Sequence, residues 1–198
     1  MAIEIAFERE RQFYPIDASA DIHAGAPTVS CGASRGMLVW HRPTGRPIMT
    51  SFELSLFADY FQFYIQDEPA SGDLSEAWTE EAVDRLLAMA PGMVGIGTVR
   101  NMHVPVSVTI LDGEPVDDFA EWDHVVEACL DITSGRIVIA RCTDYFPDAM
   151  RIEVSPGTYR VRVSYGALDR LSVNGLEGDD HYRLQLWPAP SIAVRVLK

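Results

Sequence analysis

The sequence predicts a mostly β protein, an antiparallel β-sandwich or open barrel with a single α-helix. Three observations carry this. Seven or eight short segments alternate apolar and polar residues, as half-buried strands do. Turn chemistry such as Asp112-Gly113, Ser134-Gly135 and Ser155-Pro156-Gly157 separates them at short intervals. Only one stretch follows the helical period.

The elements run as follows. Phe52–Gln66 is aromatic-rich and β-prone, with Tyr60, Gln62 and Tyr64 on one face and Phe61, Phe63 and Ile65 on the other; the second set reads as core. Asp67-Glu68-Pro69 ends it. The helix is expected at about 79–90. Thr79 is a suitable N-cap, Glu80 and Glu81 suit the positive end of the helix dipole, and Ala82, Val83, Leu86, Leu87 and Ala90 form an apolar stripe before Pro91-Gly92. Strands follow at 94–99, 104–111, 122–132, 136–141 and 150–154. In 122–132, Trp122, His124, Val126, Ala128 and Leu130 share a face. Thr158–Tyr165 places Tyr159, Val161, Val163 and Tyr165 inward and Arg160 and Arg162 outward. Strands at 181–187 and 192–197 complete the set.

Charge divides the chain. The whole carries a formal net charge of −13. Residues 1–48 hold five acids and five arginines, so the excess belongs to residues 49–198, with 24 acids against 11 bases. The boundary near Met49 coincides with the onset of strand patterning. Residues 1–48 are rich in Ala, Gly, Ser and Pro and have no sustained period; they are either an irregular N-terminal arm or lie ahead of a true start at Met49. A domain this acidic exceeds the charge of about 2–8 that solubility calls for. It should repel nucleic acid and attract basic proteins. No apolar run has the roughly 18–20 residues of a membrane span, and the first residues lack a secretory h-region. Cys31, Cys129 and Cys142 have no metal-type spacing and read as reduced thiols, which suits the cytoplasm. The single lysine, Lys198, carries no functional weight.

Several short motifs occur in a particular order. They are Tyr60-Phe61-Gln62-Phe63, Trp78-Thr79-Glu80-Glu81-Ala82, Arg100-Asn101, Ser134-Gly135-Arg136-Ile137 and Pro156-Gly157-x-Tyr159. In this order the chain resembles the competence protein J family, bacterial inhibitors of a DNA-entry nuclease, over roughly residues 52–187. The resemblance implies a small β-rich cytosolic protein that binds a nuclease. It transfers no inhibitory residues, leaves out the first 48 residues, and is departed from at the segment Gly178-Asp179-Asp180-His181-Tyr182-Arg183.

The residues offer three candidate sites. Acids collect in loops, at Asp67-Glu68, Asp73/Glu76, 112–121 and Glu177/Asp179/Asp180; gathered at one end of a sandwich they would form a negative rim for a basic partner. Asp67, Glu68, Asp179, Asp180 and Tyr182 are the partner-binding candidates. Among the aromatics, Tyr60, Tyr64, Tyr165 and Trp187 are of interest as interface residues. A small-molecule or catalytic pocket near Trp122, His124 and His181 is the alternative, although no nucleophile signature accompanies the Asp123-His124 pair. Adjacent carboxylates on a strand point apart, so Asp179 and Asp180 predict no metal site, and no cofactor is expected. Cys142 lies beside Arg141, where a thiolate could be reactive, but no histidine is placed next to it and a structural cysteine is the expectation. A third possibility is a structural accessory subunit that docks through the N-terminal arm.

Overall fold

A computed structural model of the protein describes residues 50–198. The expected arm at 1–48, with Cys31, lies outside them. The alternating segments become eleven strands in two sheets: β1 Thr50–Phe57, β2 Gln62–Asp67, β3 Leu87–Ala90, β4 Met93–Gly97, β5 His103–Ile110, β6 His124–Ile132, β7 Arg136–Arg141, β8 Met150–Glu153, β9 Gly157–Gly166, β10 His181–Pro188 and β11 Arg195–Val196. One sheet has the order β1-β5-β10-β9-β6-β11 and the other β3-β4-β2-β7-β8. All pairs are antiparallel except β5 with β10. The two inner faces close on Phe63, Ile65, Val94, Ile96, Val126, Val161, Tyr182 and Leu184, all essentially buried. The fold is an open sandwich, not a closed barrel.

The chain crosses between the sheets four times. Residues 58–61 and 98–102 cross at one end, here end I; residues 133–135 and 154–156 cross at the other, end II. Phe52–Gln66 is therefore two strands in different sheets, not one. Asp59, Tyr60 and Phe61 turn the chain between them, with Tyr60 at φ 55 and Phe61 at φ 59. Phe61 lies 41% exposed and does not join the core with Phe63.

The helix, α1, begins where its cap predicts. Ala82 N donates to Thr79 Oγ1 at 3.3 Å. It spans only Glu80–Asp84, because Leu86 takes φ 55 and Leu87–Ala90 then pair with β4. The apolar stripe that suggested four more helical residues is equally served by a buried strand.

The outward arginines of β9 are also buried. Residues 111–123 strap across the outer face of the first sheet. Arg162 lies under this strap, over the rings of Phe119 at 4.8 Å and Trp187 at 5.2 Å. Its Nε donates to Glu127 Oε1 at 2.7 Å, and its Nη atoms meet Glu114 and Asp117 of the strap. Arg160 and Arg195 complete the ring of cations around the fully buried Glu127. Burial works against its ionisation, but hydrogen bonds from Arg195 and Arg162 outweigh it and lower the Glu127 pKa. Glu127→Ala would remove the one buried carboxylate shared by Arg160, Arg162 and Arg195, leaving buried Arg160 without an ion-pair partner and buried Arg162 with only the exposed strap carboxylates Glu114 and Asp117. The expected loss is about 3–5 kcal/mol of unfolding free energy in a denaturant titration; a loss below about 1 kcal/mol would show that the hub is not holding the face.

Candidate partner-binding site

The structure parts the sequence-derived candidates to opposite ends. Asp67 ends β2 at end II and is buried. It accepts hydrogen bonds from Thr133 N at 2.8 Å and Ser134 N at 3.1 Å, and from both hydroxyls. Burial opposes its charge, but these donors prevail and its pKa falls. Asp67 thus pins the 133–135 crossing, where Gly135 takes φ 78. Glu68 is half-buried, paired with Arg136 and Arg151.

Asp180 and Tyr182 lie at end I, and both are buried. Asp180 forms an ion pair with Arg100 and accepts from Tyr182 Oη at 2.8 Å. Tyr182 Oη in turn accepts from Val99 N at 3.0 Å, and Arg100 Nη1 donates to Leu176 O at 3.2 Å. Burial raises the Tyr182 pKa, so the phenol stays protonated and can donate to Asp180. These two residues form a lock between the sheets, closed to a partner. Asp179 alone of this pair is exposed, the alternation of Asp179 and Asp180 being the reason.

What end I does present is different. The loops there are 58–61, 98–102, 142–149 and 167–180, together with α1 and the start of β6. Five of the seven large apolar side chains exposed among the described residues lie in them: Tyr60, Phe61, Tyr145, Val173 and Leu176. All four non-glycine residues with positive φ (Tyr60, Phe61, Leu86 and Ala167) are there too. Such conformations concentrate at functional sites. Asp84, Asp123, Asp148, Asp169, Glu177 and Asp179 surround them, exposed and without an ion-pair partner among the described residues. The sequence signal for Tyr60 was its aromatic type; Phe61 and Tyr145 were missed because nothing in the pattern separates an exposed aromatic from a packed one. Of the other aromatics considered, Tyr64 is half-buried and Tyr165 and Trp187 are buried.

With this geometry in hand, the likeness to solved structures is informative. The crystal structure of ComJ, inhibitor of the DNA-degrading activity of NucA from Bacillus subtilis, superimposes with a TM-score of 0.57 at 17% identity, over 72% of this chain and 99% of that one. The chain has the ComJ fold. The protein of crocagin biosynthetic gene J gives a TM-score of 0.49 at 19% identity, over 72% of this chain and 99% of that one. No protein-family model and no curated protein matches the sequence. The short motifs on which the resemblance to the competence protein J family is read fall at the elements that define the fold. Arg100 sits in one crossing, Ser134-Gly135 in another, and Pro156-Gly157 opens β9 after the fourth. Trp78, before α1, donates to Gln62 Oε1 at 2.6 Å.

The alternative site does not assemble. His124 faces inward, its ring 5.2 Å from that of Tyr165, with Nε2 3.0 Å from Arg85 O. His181 is on the outer face, 5.3 Å from the Trp122 ring, which Arg183 covers at 4.3 Å. Trp122 precedes β6 and does not share the His124 face. A cleft of about 260 Å³ lies elsewhere, between the β3–β4 turn, β6 and residues 191–194. No helix among the described residues is long and apolar enough to cross a membrane.

Cys142 is not activated by the neighbouring arginine. Arg141 is engaged by Asp144. Desolvation of the sulfur, then Asp59 and Asp144, push the Cys142 thiol up to about 11.

Two outcomes follow from these placements. Asp180→Asn should cost about 3–5 kcal/mol in a denaturant titration by leaving Arg100 buried and unpaired, and Asp179→Asn less than about 0.5 kcal/mol; equal effects would contradict the lock. Alkylation of Cys142, followed by peptide mass spectrometry, should be slow at neutral pH and accelerate up to about pH 11. A plateau near pH 8.5, the ordinary thiol value of roughly that size, would refute the assignment.

Proposed function

We propose that this protein is an acidic protein-binding module that captures a basic protein through end I, a DNA-degrading nuclease being the specific case. One observation carries the reading. Of the eleven basic residues after Met49, nine are spent in ion pairs within the domain; only Arg170 and Lys198 have no carboxylate partner among the described residues. Arg100, Arg160 and Arg162 are buried outright. The surface is thus more uniformly negative than the composition alone implies. Such a field steers a cationic partner in quickly and repels DNA.

ComJ is described as an inhibitor of NucA, and the shared fold favours the same class of role here. Inhibition would come from occupancy: carboxylates at end I take the place of DNA phosphates in the nuclease groove. That needs no cofactor, metal or chemistry from this chain. Cys129 and Cys142, without a disulfide partner among the described residues, suit the reducing cytoplasm. The pocket reading has no support, since its two imidazoles lie on opposite faces of one sheet. The acidic unit is residues 49–198, so binding should not need residues 1–48.

Stopped-flow association with a NucA-type nuclease, alongside plasmid degradation, tests this. Full-length protein and a chain lacking residues 1–48 should both inhibit. The association rate should fall at least about tenfold from low to physiological salt. A rate indifferent to salt would remove electrostatic capture from the account.

A further inference from the structure

We propose that the corner Tyr60-Phe61, with Tyr145 on the neighbouring loop, is the anchor that receives an arginine- or lysine-bearing loop of the basic partner. This rests on the reading of end I given above and names where on it the contact is made. The corner is unusual in three ways that packing does not explain. Two consecutive aromatic residues occupy the left-handed region, which glycine or asparagine would enter far more readily. Tyr60 is 68% exposed and Tyr145 73% exposed, so neither contributes much to the core. The conformation is nevertheless tightly held. Ala58, fully buried, donates from N to Met102 O at 2.9 Å; Phe61 N donates to Ala58 O at 3.0 Å; and Thr98 N donates to Phe61 O at 2.8 Å. The crossing that supplies Thr98 and Met102 is itself fixed by Arg100 and Asp180.

A strained backbone kept rigid while its side chains face water is a preorganised contact. The charge beside it selects the occupant. Thr143 Oγ1 donates to Asp59, at the foot of the corner, which ties the 141–146 turn to it. Asp144 lies in that turn, and both carboxylates act on Cys142 between them. Arg141, the local cation, is already engaged by Asp144. A guanidinium or ammonium arriving here meets aromatic faces for cation–π contact and the carboxylates of Asp59 and exposed Asp148, which have no ion-pair partner among the described residues. An acidic or purely apolar partner meets repulsion or unpaired charge.

The test uses full-length protein and two substitutions, Tyr60→Gly and Tyr145→Ser, with a NucA-type nuclease as the probe. Glycine relieves the left-handed conformation, so Tyr60→Gly should raise Tm by about 2–4 °C. Each substitution should weaken binding about 30-fold in calorimetry, as loss of an aromatic hot spot does. A gain in stability together with lost binding separates a contact role from a packing role. A lowered Tm for Tyr60→Gly, or wild-type affinity in both variants, would overturn the proposal while leaving the module reading intact. Absence of binding by the wild-type protein would overturn both.

Discussion

The ion pair between Arg100 and Asp180 is the interaction on which the rest of end I depends. Both groups are buried, so neither can be left alone without a large cost in free energy. Asp180 precedes β10 in one sheet, and Arg100 follows β4 in the other. Their contact, extended through Tyr182 to Val99, fixes where the chain crosses between sheets. That crossing supplies the backbone groups that hold Ala58 and Phe61. A charged pair in the interior therefore determines the shape of a surface corner two contacts away. End II uses a different device: one carboxylate, Asp67, accepts four neutral donors from a single turn.

The same economy of cations explains the surface. The domain's arginines neutralise buried carboxylates at Glu127 and Asp180 and fasten the strap across the first sheet. They are drawn inward by structural demands, and the remaining acids are left facing water. A module built this way needs no dedicated acidic patch to become strongly negative. Where it differs from a merely soluble surface is end I, at which exposed aromatic groups and left-handed backbone join the acids.

Much of this fold is legible in the sequence because alternation and turn chemistry agree. Val161, Val163 and Tyr165 face the core as their spacing predicts, and Thr79 caps α1. The break inside 52–66 is not legible, because residues 58–61 carry no glycine or proline; tertiary hydrogen bonds impose the turn on aromatic residues. The end of α1 is hidden for a related reason: Leu87–Ala90 satisfy a helical stripe and a buried strand equally. Arg160 and Arg162 do point outward, but a strap with no periodicity of its own covers them. Asp180 and Tyr182 read as surface residues since a lone sequence does not show that Arg100, eighty positions earlier, is waiting for that carboxylate. Asp180 and Tyr182 thus belong to the buried lock, and the exposed aromatic side chains lie in the corner beside it.

Hydrogen exchange of the full-length protein, free and bound to a NucA-type nuclease, tests the central claim most directly. Exchange at residues 58–61 and 142–148 should slow on binding, with the 133–136 turn at end II unchanged. Protection confined to end II or to the 111–123 strap would contradict it.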